Sequence, residues 1–285
     1  MILLDFSNII VGSIMIAHKT SYEEKITEDF IRHLVLNSIR NYRVKYRQKF
    51  GEIVICTDSR MSWRKEVFPY YKANRKIKRE KQQTQDGMDW SALFKTINDI
   101  INEIDEYFPY KVLAVDGAEG DDIIAVLAKN THENSIIISS DKDFSQLHKY
   151  KHIKQYSPIK KKMIITSNPY KYLKEHIIRG DKSDGVPNIL SDDDCIVKGM
   201  RQKPITKKKL AVWLEQAEIA NGLSVKWKRN QQLIDFEYIP ENVASDIMGE
   251  YSKEKILNQI PGRFTKYFIK NNLNYLMEHK GDFIL

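Results

Sequence analysis

Short β-branched runs alternate along this chain with longer segments whose apolar residues recur every three or four positions. Met1–Leu4, Ile53–Thr57, Val112–Val115 and Ile136–Ser140 read as strands. Unbroken apolar runs of that length suit strands covered on both faces. Thr27–Tyr46 reads as a helix, with Phe30, Ile31, Leu34, Val35, Ile39 and Tyr42 at helical spacing. Ala92–Tyr107 does the same with Phe94, Ile97, Ile100, Ile101 and Ile104. Asp121–Lys129 is a further helix, and acids at its start suit the positive end of its dipole. Ile153–Ser157 and Met163–Thr166 read as a hairpin around Lys160-Lys161-Lys162. Strand and helix in alternation predict an α/β fold: a mainly parallel central sheet flanked by helices.

From about Ser167 the pattern turns helical, at Tyr170–Arg179, Thr206–Ala220, Lys253–Gln259 and Phe264–Glu278. A boundary near Thr166 therefore separates an α/β domain, 1–166, from a smaller, mainly helical domain, 167–285. The segment Asn188–Pro204, with aspartates at 192, 193 and 194, reads as an irregular loop.

Composition narrows the function. Among 285 residues, 46 are basic and 38 acidic, a net charge of +8 that suggests a polyanionic partner. No basic helix with a clean apolar face points to a membrane surface, and no apolar run has transmembrane length. Two cysteines, Cys56 and Cys195, imply neither a disulfide framework nor a cysteine zinc site. Reduced thiols and no evident signal peptide predict a cytoplasmic protein. No G-x-x-x-x-G-K-[ST] loop is present, which argues against a nucleotide-driven motor.

Against this basic background, nine carboxylates stand where strands run out: Asp5, Asp58, Glu119, Asp121, Asp122, Asp141, Asp143, Asp181 and Asp184. A lone Asp after a strand is ordinarily a helix cap or turn residue. The pairs 119/122, 141/143 and 181/184 favour metal binding for the set. The carboxyl ends of parallel strands share one edge, where ligands bind. Acids converging there need hard cations, and two Mg²⁺ (Mn²⁺ able to substitute) about 4 Å apart would suit phosphodiester hydrolysis.

Arg60–Lys81 holds nine basic residues against two acids, interleaved with Trp63, Phe68, Tyr70 and Tyr71. It reads either as a solvated helix with its aromatics packed beneath, or as a nucleic-acid clamp that neutralises phosphates and stacks on bases. It leaves the strand end at Asp58 directly, so it rises from the acidic edge.

These pieces together resemble the 5′-nuclease family of flap endonucleases and 5′-3′ exonucleases. The matching segments are Leu4-Asp5-Phe6-Ser7, Asp58, Trp63-Arg64, Pro69-Tyr70-Tyr71-Lys72-Ala73-Asn74-Arg75, Glu119-Gly120-Asp121-Asp122, Ser139-Ser140-Asp141-Lys142-Asp143 and Gly180-Asp181-Lys182-Ser183-Asp184. Leu233-Ile234-Asp235-Phe236-Glu237-Tyr238-Ile239-Pro240 extends the likeness toward the phage ribonuclease H branch, that of T-even bacteriophages.

The resemblance implies a PIN-like sheet domain with a basic arch at about 60–90, then a helical region with a helix-turn-helix-like grip on duplex. It implies a first metal cluster of Asp5, Asp58, Glu119, Asp121, Asp122 and Asp141. Asp143, Asp181 and Asp184 would form a second, with Asp141 near both. Lys72 and Arg75 would reach the scissile phosphate. Arg64, Tyr71, Lys76, Lys78, Arg79, Lys207 and Lys208 would join them in binding nucleic acid. Substrates would be DNA and RNA–DNA duplexes with 5′ ends or flaps, including the RNA primers of lagging-strand fragments. The protein would act as a monomer beside a single-strand-binding protein, in the host cytoplasm if viral.

The glycine-rich turn usual after Asp184 is degraded here to Gly185-Val186-Pro187-Asn188-Ile189-Leu190-Ser191, and aspartates follow it. Two other readings stay open: a PIN-type ribonuclease, and a non-catalytic binder of DNA junctions.

Overall fold

The computed structural model describes residues 1–20, 27–86, 89–216, 222–255 and 262–284. Among them the strands form one six-stranded sheet: β1 Ile2–Asp5, β2 Ile53–Cys56, β3 Lys111–Leu113, β4 Ser135–Ile138, β5 Ile153–Ser157 and β6 Lys162–Ile164. Their order is β3-β2-β1-β4-β5-β6, all parallel except the β5–β6 hairpin. β3 stops short of the expected Val115. The Val115 carbonyl instead accepts the Ala118 N–H at 3.0 Å, closing a turn in which Gly117 takes φ +79°.

The helices are α1 Phe6–Thr20, α2 Glu28–Phe50, α3 Arg64–Val67, α4 Ala73–Asp86, α5 Trp90–Tyr107, α6 Gly120–Asn130, α7 Pro169–Arg179, α8 Lys207–Glu215, α9 Ser224–Ile234, α10 Glu241–Ser252, α11 Arg263–Lys270, α12 Asn274–Glu278 and α13 Gly281–Ile284. The hydrophobic pattern does not announce α1. It starts at Phe6, directly after the last strand residue and without a connecting loop, and Asp5 Oδ1 accepts the Asn8 N–H at 3.2 Å as its cap. Nor does the pattern announce α9 and α10. The helix expected over Lys253–Gln259 is corrected: α10 ends at Ser252, 253–255 are not helical, and 256–259 lie outside the described residues. The expected Phe264–Glu278 helix divides in two, with Asn272 at φ +53° between the parts. α8 ends at Glu215, and 217–220 of the expected helix lie outside the described residues.

Two apolar cores flank the sheet, which explains why β1, β2 and β4 are apolar on both faces. One packs α1, α2 and α5 through Ile10, Val35, Ile39, Ile100 and Phe108. The other packs α6 through Ile123, Ile124 and Leu127. Packing crosses the expected division near Thr166: Val243 and Ile247 of α10 join the second core. Tyr267, Phe268 and Leu276 join the first. Among the described residues, α7, α8 and α9 build two smaller cores around Ile177, Ile178, Ile189 and Leu233, one of them shared with Phe68 and Tyr71 at the base of the arch. Composition changes at 167, but the chain returns to the sheet after 235. Gln146 marks the return: its Nε2 donates to the Ile234 carbonyl, and its Oε1 accepts the Phe236 N–H, both at 3.0 Å. Among the described residues no helix is long and apolar enough to cross a membrane.

Candidate active site and the base of the arch

Neighbouring strands β2, β1 and β4 deliver Asp58, Asp5 and Asp141 to one sheet edge. Gly120 brings a fourth acid to them. A Cβ there would lie 3.3 Å from the Cys56 carbonyl oxygen and 3.4 Å from Asp58 Oδ1, so glycine lets α6 begin against β2. Its N–H donates to Asp58 Oδ1 at 2.8 Å, and Asp121 follows. Ser139 ties the edge together: its hydroxyl donates to Asp5 Oδ2 at 2.6 Å and accepts the Asp141 N–H at 3.0 Å. Buried Gln155 braces the same turn, donating to the carbonyls of Ser139 (3.1 Å) and Asp141 (2.6 Å). The doublet Ser139-Ser140 after a strand is the sequence signal for the serine bridge; nothing local marks Gln155.

Charge at this edge is undercompensated. Burial, reinforced by Asp141 and Asp58, pushes the Asp5 carboxyl up to about 7. Burial and the charges of Asp5 and Asp141 push Asp121 well above the carboxylate range. Asp141 is raised too, by burial and by Asp184 and Asp181. Groups like these bind protons or cations avidly.

Asp143, Asp181 and Asp184 face the same cleft as Asp121, alongside Tyr71 and Ile234. Burial and the Asp141 charge push Asp143 up to about 7. Asp181 is different. Its Oδ1 accepts the N–H groups of Ser183 (2.7 Å) and Asp184 (3.3 Å) and the Ser183 hydroxyl. Its Oδ2 receives His176 Nε2 at 3.0 Å and Lys142 Nζ at 2.8 Å. Burial would raise its pKa, but these donors hold it below the usual range. His176, on the last turn of α7, is a site residue that the sequence reading misses; its place five residues before Asp181 is the only clue.

Lys72 and Arg75 sit over this cleft. Lys72 Nζ lies 2.7 Å from Glu119 Oε1 and 3.8 Å from Asp184 Oδ2, and an Arg75 guanidinium nitrogen lies 2.5 Å from Asp184 Oδ1. Against burial, the two cations hold Asp184 below its ordinary pKa. The arch base is locked to the 181–185 turn. The Lys72 N–H donates to the Asp184 carbonyl at 2.7 Å, with Lys72 in the left-handed region at φ +56°. A Cβ on Gly185 would come within 2.9 Å of the Tyr70 carbonyl oxygen, so only glycine fits.

Several expected assignments are corrected. Asp122 is fully buried and turned away from the cleft, receiving Arg64 at 2.7 and 2.9 Å, Trp63 Nε1 at 3.1 Å and the Glu119 N–H at 3.0 Å. With Glu119 it forms the capping box of α6, so its spacing reflects capping rather than a metal. Arg64 is buried and its guanidinium is paired with Asp122 and Glu119. Trp63, Phe68 and Tyr71 are buried, unable to stack on bases; the Tyr71 hydroxyl bonds Glu119 at 2.8 Å and Asp184 at 3.0 Å. Arg79 lies over the Phe94 ring, 5.3 Å from its centroid. Lys76 and Lys78 remain exposed on α4, as do Lys207 and Lys208 on α8. The 192–194 aspartates are matched rather than bare: Asp193 pairs with Arg229, Asp194 with Lys198 at 2.6 Å, and Asp192 lies 3.6 Å from Lys203 and Lys226.

Residues 8–176 match the family model "5′-3′ exonuclease, N-terminal resolvase-like domain", and 167–283 match "T4 RNase H, C terminal". The ribonuclease H of Enterobacteria phage T4 is 36% identical over 298 residues, covering 99% of this chain and 95% of that protein. A flap endonuclease Xni from Shewanella pealeana is 35% identical over 159 residues, covering 51% of this chain and 57% of its own. In structure, a bacteriophage T5 protein co-crystallised with metal ions superposes with a TM-score of 0.60 at 15% identity, covering 95% of this chain and 98% of its own. A T5 flap endonuclease in a pseudo-enzyme–product complex with DNA and metal ions gives 0.59 at 16% identity, with the same coverage. At such identities the likeness is one of fold.

Proposed function

The chain belongs to the 5′-3′ exonuclease family, with a C-terminal part of the T4 ribonuclease H type; it is a nuclease, and from that premise we propose a two-metal 5′-nuclease using Mg²⁺. The observation that carries this reading is one cleft lined both by Asp121 and Asp143, which burial and neighbouring acids push upward, and by Asp181 and Asp184 of the following turn. The donors are hard oxygens, the chemistry Mg²⁺ prefers.

Asp5, Asp58, Asp121 and Asp141, with Glu119 at the margin, would hold one ion. Asp143 and Asp184, with Asp181 behind them, would serve a second. Such ions supply a hydroxide nucleophile and neutralise charge on the reacting phosphate. The chain's own part is positioning. Ser139 and Gln155 fix Asp5 and Asp141 before substrate arrives. Lys72 and Arg75 offer positive charge at the mouth, where carboxylates alone would repel a phosphodiester. As phosphate enters, it would compete with Glu119 and Asp184 for these two cations. Lys76 and Lys78 on the arch, and Lys207 and Lys208 on α8, would follow the backbone of a duplex or flap.

The substrates proposed are 5′ ends of RNA or DNA in duplexes and 5′ flaps, with 5′-phosphate products. The biological role proposed is removal of RNA primers, as a monomer in the cytoplasm beside a single-strand-binding protein. A bare PIN-type ribonuclease would have no use for the 181–184 turn docked on the arch. The test is cleavage of 5′-labelled RNA–DNA hybrid and flapped DNA with Mg²⁺ and with chelator. Short 5′ products only with metal support the reading; uncut substrate in both overturns it.

A further inference from the structure

His176 and Asp143 form a pair that the positioning of carboxylates leaves unexplained. His176 is 7% exposed. Its Nδ1 stands 3.4 Å from Asp143 Oδ1, and neither atom has a hydrogen-bond partner. On the other side of the ring, Nε2 lies 3.0 Å from Asp181 Oδ2. Asp181 takes further donors from Ser183, Asp184 and Lys142. Its oxygens are therefore occupied, whereas Asp143 Oδ1 and His176 Nδ1 are not.

This is the arrangement of a carboxylate–histidine–metal triad, in which the ligating imidazole donates its other N–H to a carboxylate that fixes tautomer and ring orientation. The spacing agrees. Two ligand atoms each about 2.1 Å from a tetrahedral ion stand about 3.4 Å apart. The ligand atoms of Asp143, His176 and Asp181 all lie within 4.8 Å of one another.

We propose that His176 Nδ1 and Asp143 Oδ1 are direct ligands of a transition-metal ion, with Asp181 as the orienting carboxylate. This deepens the two-metal reading and rests on it: the second site becomes a mixed nitrogen–oxygen site. Imidazole suits Zn²⁺ and its neighbours, while Mg²⁺ prefers oxygen alone. The second position therefore takes Zn²⁺ or Co²⁺ ahead of Mg²⁺, and the first stays a hard oxygen site.

The test uses the intact chain, with imidazole nitrogens observed by long-range ¹H–¹⁵N NMR in chelator and then with Zn²⁺. The His176 resonances are assigned by their absence in His176→Gln. Zn²⁺ is expected to shift Nδ1 of His176 strongly while Nε2 stays protonated. By calorimetry, His176→Gln is expected to lose at least about tenfold in Zn²⁺ affinity. An Nδ1 that does not move on adding Zn²⁺, or that carries a proton throughout, overturns the proposal: the ring is then a protonated bridge between two acids. Should the variant not fold, the wild-type spectrum still decides, with assignment by spectral difference in Asp143→Asn. Cleavage in Mg²⁺ by the same wild-type sample keeps the questions separate. An unmoved His176 with intact Mg²⁺ cleavage defeats only this site; absent cleavage defeats the nuclease mechanism.

Discussion

Arg64 and Asp122 form a two-pronged ion pair at 2.7 and 2.9 Å, sealed from solvent on both sides. It joins the first turn of the arch segment to the first turn of α6, so both walls of the acidic cleft share one buried charge pair. Breaking such a pair from one side strands the other charge, at a cost of about 3–5 kcal/mol. Arg64→Ala and Asp122→Ala are each expected to lower unfolding free energy by that amount in denaturant titrations. Metal affinity of the fraction still folded should be unchanged. A stable Asp122→Ala protein that had lost metal binding would return Asp122 to the ligand set.

Lys72 separates catalysis from binding. Its charge sits between Glu119 and Asp184, at the mouth where phosphate must arrive. Lys72→Ala is expected to slow single-turnover cleavage by about a hundredfold, the scale of removing one preorganised donor. Dissociation constants for flapped DNA should change several-fold at most. If binding falls as far as the rate, Lys72 serves only to position substrate.

The exposed lysines should show in salt dependence. Removing one lysine that pairs with a phosphate is expected to flatten the slope of log affinity against log salt by about 0.7–0.9. Lys76→Ala with Lys78→Ala should do so for the arch, and Lys207→Ala with Lys208→Ala for the helical part. Parallel lines for wild type and variants would mean these side chains are merely solvated.

The raised carboxyls fix the sign of a pH effect on the metal-free protein. Asp5 and Asp143 titrate at about 7 when folded against about 3.8 when unfolded. Between those values the folded state holds protons that the unfolded state has lost, so stability falls as pH rises through the window. Asp121 and Asp141 act in the same direction, as does the raised His176. His148, lowered by burial, opposes them. In chelator, melting temperature is expected to drop from pH 5 to pH 8, and added Mg²⁺ to stabilise most at the upper end. A midpoint that rises over that range in chelator would contradict the crowding of these acids.

Much of this site is legible in the sequence. Asp5, Asp58 and Asp141 can be found because apolar strands announce their ends and a parallel sheet aligns those ends. Asp122 misleads, because capping and metal binding ask for the same residue types three apart. The aromatics at 63, 68 and 71 mislead similarly: beside so many cations their burial beneath the arch is not visible in spacing. α1 hides because its residues are apolar nearly all round, and Asp5 serves as strand end, cap and candidate ligand at once. The return of 236–255 and 262–284 to the sheet depends on long-range pairings such as that of Gln146 with Ile234, which local patterns do not encode.

The most direct measurement is Asp141→Asn, assayed in parallel for cleavage and for binding of a 5′-flapped duplex in Mg²⁺. Asp141 lies between both groups of acids, and its backbone is held by Ser139 and Gln155 independently of its charge. Cleavage is expected to fall by about a thousandfold or more, with flap affinity within a few-fold of wild type. Turnover close to wild type would contradict the metal-dependent site at the sheet edge.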